Sequence, residues 1–265
     1  MAEQFPVDRV AVPVESRAPS GATNAYVVGD APALLVDPAG RTDRLDALVA
    51  DREIGAIAVT HTHPDHVGAV ADYATETGAS LLARRPARFA AETGVEPDRQ
   101  ITEGSAIDTD AGTVRVLDTP GHAVDHVAFE LDGAVLCGDL AVAEGSVVVG
   151  APEGDLRAYL SSLRRLRARA PDRLLPGHGP AMDDEPTPRA SLDRLIGHRL
   201  DREAAVLDAV DAGAADLDAV LDTAYEKDLS GVRDLARATV RAHLEKLAVE
   251  GRVDWDPDTG RVEPA

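Results

Sequence analysis

The chain has 265 residues, one cysteine and 44% hydrophobic residues, and 27 Lys+Arg against 47 Asp+Glu leave a formal charge of −20. That length allows one large domain or two unequal ones with a proper core, the apolar share excludes a disordered acidic chain, and a single cysteine excludes a disulfide scaffold or a Cys-based zinc ribbon. No apolar run approaches the roughly 18 residues of a membrane span, and Met1–Gln4 is polar with no basic lead into an apolar stretch, so a cytoplasmic protein without a membrane partner is expected.

Residues 7–60 read as strand-rich. Val7, Val10, Val12 and Val14 set β-branched residues at mostly two-residue spacing, with Pro13 marking an edge or bend. The runs 23–28 and 33–36 flank Gly29-Asp30 and predict a hairpin. Leu45, Leu48 and Val49 predict a helix over 41–52, and 54–60 reads as a buried strand ending in a histidine cluster. Next come a helix over 67–78 stopped by Gly78, a short strand at Leu81-Leu82 and a short helix over 86–92. Val114 and Val116 mark a strand over 113–117; 127–131 and 134–137 flank Asp132-Gly133, a strong hairpin signal. Leu156, Leu160, Leu163 and Leu166 define an amphipathic helix over 155–168, and Leu174-Leu175 a strand.

Composition changes at the proline-punctuated stretch Asp183 to Pro188, which predicts domains over 1–185 and 186–265. Beyond it the chain is helix-like to about residue 250, with apolar sets at Leu192, Leu195, Ile196 and Leu200, at Leu217, Val220 and Leu221, and at Leu235, Val240, Leu244 and Leu247. Val253 and Trp255 make a short strand, and Arg261-Val262 a return strand across the turn 256–260.

Five of the eight histidines fall in three motifs. In His61-Thr62-His63-Pro64-Asp65-His66, the first two imidazoles are two apart in an extended loop, so both can face one ion. Asp65 and His66 sit at the following helix entrance and can face a second. His122 in Thr119-Pro120-Gly121-His122, Asp139 in Cys137-Gly138-Asp139 and His178 in Pro176-Gly177-His178 each follow a strand and a glycine that lets the chain turn sharply. Five imidazoles and two carboxylates suit Zn²⁺, with Mn²⁺ or Fe as alternatives, and are too many for one tetrahedral ion. The expectation is His61, His63 and His122 on one ion, Asp65, His66 and His178 on the other, and Asp139 between them. Two ions about 3.5–4 Å apart can share a hydroxide for attack on a carbonyl carbon or phosphorus, with Asp65 also orienting it or carrying a proton.

This ligand order resembles the metallo-β-lactamase superfamily over residues 7–180, and the segment 23–28 with Asp37 is similar to its first hairpin. The resemblance implies an αββα sandwich of the α/β class, with a dinuclear site along one edge of its two sheets. Leu195 to Arg199, Arg202-Glu203, Ala242 to Leu247 and Glu250 to Val253 resemble the beta-lactamase-like protein 2 branch. That branch implies a small C-terminal winged-helix domain and, in some members, cleavage of single-stranded RNA. The implied activity is hydrolysis of an ester, thioester or phosphodiester. The substrate is then a small molecule or a single-stranded nucleic acid. The superfamily also contains mononuclear-iron sulfur dioxygenases, which are the alternative reaction class. Its lactamases usually act outside the cytoplasm, which the expected location disfavours.

His198 and Arg199 are weak substrate-contact candidates with an equally ready structural role on a long helix. Arg233, Arg237 and Arg241 recur every four residues, as a phosphate-contacting stripe or as a solvated face paired with carboxylates. Residues 186–265 hold 11 basic and 17 acidic residues, net −6, against 16 and 30, net −14, over 1–185, so the tail is no basic arm. Cys137 and His126 read as buried structural residues. Lys227 and Lys246 are the only lysines, 31 Asp outnumber 16 Glu, and aromatics are 3%. This surface fits a halophilic protein, or an acidic, Arg-rich one from a GC-rich genome.

Overall fold

The computed structural model describes residues 6–15, 20–225 and 228–265; the polar residues 1–4 and Lys227 discussed above lie outside them. The chain divides into two compact units. The first comprises Met1–Thr119, Asp125–Gly145 and Pro171–Pro188, the second Pro120–Val124, Ser146–Ala170 and Arg189–Ala265.

The first unit contains two mixed sheets. One runs in the order β1 (Val7–Pro13), β2 (Ala22–Val28), β3 (Ala33–Val36), β4 (Ile54–Ala58), β5 (Ser80–Ala83), β6 (Arg99–Gln100). Its first three strands are antiparallel neighbours, and β3 to β6 run parallel. Parallel neighbours need crossovers, which α1 (Asp43–Ala50), α2 (Pro64–Val67), α3 (Val70–Thr77) and α4 (Pro86–Thr93) supply. The second sheet has the order β11 (Arg173–Pro176), β10 (Ala134–Gly138), β9 (Val127–Leu131), β8 (Gly112–Asp118), β7 (Ala106–Thr109), with only β10 and β11 parallel.

Period-two alternation sorts each central strand between two cores. Val27, Leu35 and Ile57 face the helix side, where Leu45, Val49, Val70, Tyr73 and Phe89 cover them. Tyr26, Val28, Leu34 and Val36 face the other way and pack with Val114, Val116, Phe129 and Leu136 between the sheets. Because both faces are covered, β3 is buried throughout, whereas edge strand β1 alternates and tolerates Pro13. The sheets are also bonded directly. Asn24 Nδ2 donates to the carbonyls of Pro176 and Gly179, both at 2.9 Å, and the Tyr26 hydroxyl donates to Pro176 O at 2.7 Å.

Helix starts follow local chemistry. Thr42 Oγ1 accepts from Leu45 N to cap α1, and Pro86 occupies the first turn of α4. Gly78 ends α3 in the left-handed region, as its position predicts. The helix expected over 67–78 starts three residues later, as α3, because a separate short helix, α2, ends at Val67. At Gly68 the backbone presses on residue 39, and a Cβ there would sit 2.4 Å from the Ala39 carbonyl oxygen. Ala69 N–H donates to Pro38 O rather than continuing the α2 ladder. Strands β6 and β7 have no counterpart in the reading above: β6 is exposed throughout, and β7 buries only Ile107.

The second unit holds α5 (Leu156–Arg169), α6 (Pro188–Asp211), α7 (Leu217–Ala224), α8 (Arg233–Val249) and the antiparallel hairpin β12 (Val253–Asp256), β13 (Arg261–Pro264). Asp155 caps α5 and Asp216 caps α7 through side-chain bonds to first-turn amides. Its core joins Val206, Val210, Leu221, Val240 and Leu244 to Val253 and Val262 of the hairpin.

Candidate metal centre

Each sheet contributes a parallel strand pair, β3/β4 and β10/β11. Parallel neighbours end on the same side, and loops at carboxyl ends are where α/β sheets gather reactive groups. Asp37 follows β3, residues 60–66 follow β4, Asp139 follows β10 and His178 follows β11.

Three imidazoles there share one arrangement. His178 Nδ1 lies 2.8 Å from Ala22 O, and a carbonyl only accepts, so Nδ1 carries the proton. Thr60 Oγ1 gives its own hydrogen to Asp37 Oδ2 at 2.8 Å, so at 3.0 Å it accepts from His61 Nδ1. His66 Nδ1 donates to Asp37 Oδ2 at 3.0 Å. In all three rings Nε2 is left as the ligand-type nitrogen, oriented by a bond on the far side, as metal-binding histidines are.

These nitrogens converge on carboxylates. His66 Nε2 is buried without a hydrogen-bond partner, 3.7 Å from Asp139 Oδ1. His178 Nε2 lies 3.4 Å from Asp139 Oδ2 and 3.6 Å from Asp65 Oδ2. Donor atoms of Asp65, His66 and His178 fall within 4.8 Å of one another, as do those of His61, His66 and Asp139. His63 joins through Nδ1, 2.9 Å from His61 Nε2. Gly177 lines the same space: a Cβ there would meet Asp139 Oδ1 at 2.5 Å and His66 Cε1 at 2.8 Å. Burial opposes protonation of His66, but Asp37, Asp139 and Asp65 outweigh it and lift the imidazole to about 9. His178 is likewise raised against the cost of burial, mainly by Asp139. Carboxylates that hold protons on buried imidazoles are those that would welcome a divalent cation instead. An orphaned buried nitrogen, a space only glycine leaves open and an N/O donor set together fit a metal ion.

Six of the seven predicted ligands thus lie together in the first unit. His122 belongs to the second, where its Nδ1 is 2.6 Å from Val148 O, giving the same tautomer. Gly121 before it has φ 137 and lies against α5, where a Cβ would be 2.3 Å from Tyr159 N. His198 Nε2 lies 3.3 Å from Ser146 Oγ. Arg199 is buried, donates to Val147 O and stacks 5.4 Å over Tyr159. Arg233 pairs with Asp222 and Asp218, Arg237 with Asp218, and Arg241 with Glu245, so this stripe is a paired face. Cys137 is fully buried, and burial pushes its thiol up to about 12, which makes it inert.

Two carboxylates beneath the site were not singled out from the sequence as site residues. Asp37 accepts from Thr60 N, Thr60 Oγ1 and His66 Nδ1. Asp125 Oδ2 accepts from Thr62 N at 3.1 Å and Thr62 Oγ1 at 2.8 Å, pinning the loop between His61 and His63. The alternation Thr60-His61-Thr62-His63 gives only a faint signal for them, since other threonine hydroxyls here donate to backbone carbonyls.

Comparison with known proteins agrees with this geometry. Residues 18–178 match the sequence profile described as Metallo-beta-lactamase superfamily. The chain is similar to a "Beta-lactamase-like protein 2 homolog" of Caenorhabditis elegans, 29% identical over 245 residues, covering 88% of this chain and 80% of that protein. It is also similar to an "Atrochrysone carboxyl ACP thioesterase" of Aspergillus chevalieri, 32% identical over 200 residues, covering 71% of this chain and 60% of that one. Among solved structures, a metallo-beta-lactamase family protein of Thermus thermophilus superposes with a TM-score of 0.77 at 25% identity, covering 98% of this chain and 99% of that one.

Proposed function

Because the chain belongs to the metallo-beta-lactamase superfamily, we propose that it is a metal-dependent hydrolase of carboxylic esters or thioesters. The observation that carries this reading is the buried, unbonded Nε2 of His66 amid Asp139, Asp65 and His178. In our reading His61, His63 and His122 hold one ion, Asp65, His66 and His178 the other, and Asp139 both, with zinc preferred over manganese or iron. A divalent pair bound there supplies a nucleophile drawn from water and a Lewis acid for the substrate oxygen. The chain's own groups do the rest. Nδ1–H bonds to Ala22, Thr60 and Asp37 fix three rings before any ligand arrives, and Asp65 holds or passes the proton released on attack.

An ester or thioester is favoured over a phosphodiester because the α8 arginines are already neutralised by Asp218, Asp222 and Glu245. Similarity to a thioesterase supports the same choice. We read 186–265 as a winged-helix-like domain, supported by three helices before a hairpin and by Leu217 N donating to Gly260 O and Val262 N to Ala215 O. The acidic surface is read as salt-adapted.

The test is metal analysis and a substrate panel in high salt on one sample: esters, thioesters, phosphodiesters, single-stranded RNA and sulfur substrates. Two ions per chain with ester or thioester turnover is expected. RNA cleavage that loses its salt dependence when Arg233, Arg237 and Arg241 are replaced by Gln would select the endoribonuclease instead. One iron with oxygen uptake would select the dioxygenase, and no metal with no turnover after Zn²⁺ or Mn²⁺ addition would end the proposal.

A further inference from the structure

We propose that His126, which is not itself a ligand in our reading, is the positioning residue that sets Asp139 as the carboxylate shared by both halves of the metal centre. The inference rests on that metal-centre reading.

The backbone N–H of Asp139 donates to His126 Nε2 at 3.1 Å. An amide can only donate, so Nε2 is the bare nitrogen and Nδ1 carries the ring proton. Nδ1 then donates to Thr119 Oγ1 at 2.8 Å, while Thr119 N donates back to His126 O at 3.1 Å. The ring is 1% exposed and tilts against His61, with centroids 5.2 Å apart. Gly138 lets Asp139 approach this closely: its φ is 47, and a Cβ would sit 2.8 Å from His126 Nε2 and 2.6 Å from Thr60 Oγ1. Held by its amide, Asp139 turns Oδ1 toward His66 and Oδ2 toward His178. Donor atoms of Asp139 also fall within 4.8 Å of those of His61 and His66, so the carboxylate lies between His61, assigned to one ion, and His66 and His178, assigned to the other, as a shared ligand must. Gly177 N–H donating to Gly138 O and Leu140 N–H to Cys137 O hold the backbone on either side, and the imidazole on the Asp139 amide fixes the peptide between them.

The two positions of the ring can be separated by substitution in the full chain. His126→Gln places an amide oxygen where Nε2 stands and keeps an acceptor for Asp139. His126→Asn reaches only the Nδ1 position, keeping a donor for Thr119 and leaving the Asp139 amide without its acceptor. Zinc affinity is read by chelator competition, ions per chain by elemental analysis, and ligand geometry by the visible spectrum of the Co²⁺ form. Outer-shell partners of metal ligands are worth roughly 10–100-fold in affinity. The Asn variant is expected to lose that much at one ion and shift the Co²⁺ spectrum, while Gln stays near wild type. A purely structural ring would lower thermal stability without separating the two variants in metal binding. Equal zinc affinities and spectra for Gln and Asn, with wild type binding two ions, overturn this inference alone. Should Asn fail to fold, a Gln variant weakened tenfold or more also overturns it. Wild type that binds no divalent ion overturns the metal centre and this inference with it.

Discussion

His66 in the first unit and His243 in the second are equally buried, at 0% exposure, yet their basicities move in opposite directions. Burial opposes protonation of His66 too, but it has Asp37 at 3.0 Å and Asp139 at 3.7 Å, with Asp65 close by. His243 has Glu203 at 3.8 Å, and that carboxylate already pairs with Lys246 at 2.7 Å. Burial therefore wins at His243, and the nearby Arg199 and Arg202 add to it. The lesson is one of local surplus. At the strand ends Asp37, Asp65 and Asp139 surround a buried imidazole with no Lys or Arg among the causes of its shift, and that surplus marks a place for an ion.

The comparison breaks most sharply at Asp139. Asp139→Ala removes a carboxylate that two imidazoles face, so turnover should fall by about a thousandfold or more, equivalent to roughly 4 kcal/mol of transition-state stabilisation. The sheets do not depend on that side chain, and circular dichroism should be unchanged. Wild-type turnover in this variant would remove Asp139 from the site.

Acidity should act on the two histidines with opposite signs. In metal-free protein His66 is raised to about 9 from 6.5, so its stabilisation is complete below pH 6.5 and is lost as pH rises through 9. The change amounts to roughly 3 kcal/mol at most. Thermal unfolding after chelation should show a declining midpoint across that window, and zinc, which replaces the proton, should cancel the decline. His243 is lowered, so its neutral form stabilises above pH 6.5 and that contribution is lost as pH falls through its folded value. Hydrogen exchange in α8 should quicken on acidification while the strand-end loops respond to alkali. The same pH response in both regions would refute the surplus argument.

The smallest effect is expected at His243 itself. Neither ring nitrogen has a hydrogen-bond partner, so His243→Leu exchanges an unsatisfied polar group for an apolar one of similar bulk. Stability should change by about 1 kcal/mol or less, with metal content untouched. A loss of metal would tie the residue to the centre.

Much of this difference is legible in the residue order. His61, His63, Asp65 and His66 announce themselves by crowding, and Asp139 and His178 by following a glycine at a strand end. The central strands declare themselves through continuous Val, Leu and Ile runs. Asp37 and Asp125 do not, because a carboxylate that anchors a threonine looks like any other in a chain with 47 acidic residues. The break at Gly68 is equally silent: the apolar spacing suits a helix from 67, and what delays its start to Val70 is a backbone 29 residues away in sequence, at Ala39. Strands β6 and β7 escape for a related reason. Their pairing partners, rather than their own side chains, make them strands.

The bonds that Asn24 and Tyr26 donate to Pro176 and that His178 donates to Ala22 join positions 150 to 156 residues apart in the chain. Contacts so distant in sequence cost more chain entropy to close than the local hairpins do. The imidazole of His178 meets Asp139 within its own sheet, where β10 and β11 are neighbours, and meets Asp65 only where the two sheets come together. A divalent ion held by these residues would therefore report on finished folding, and the rate at which a refolding sample took one up would time the docking of the sheets.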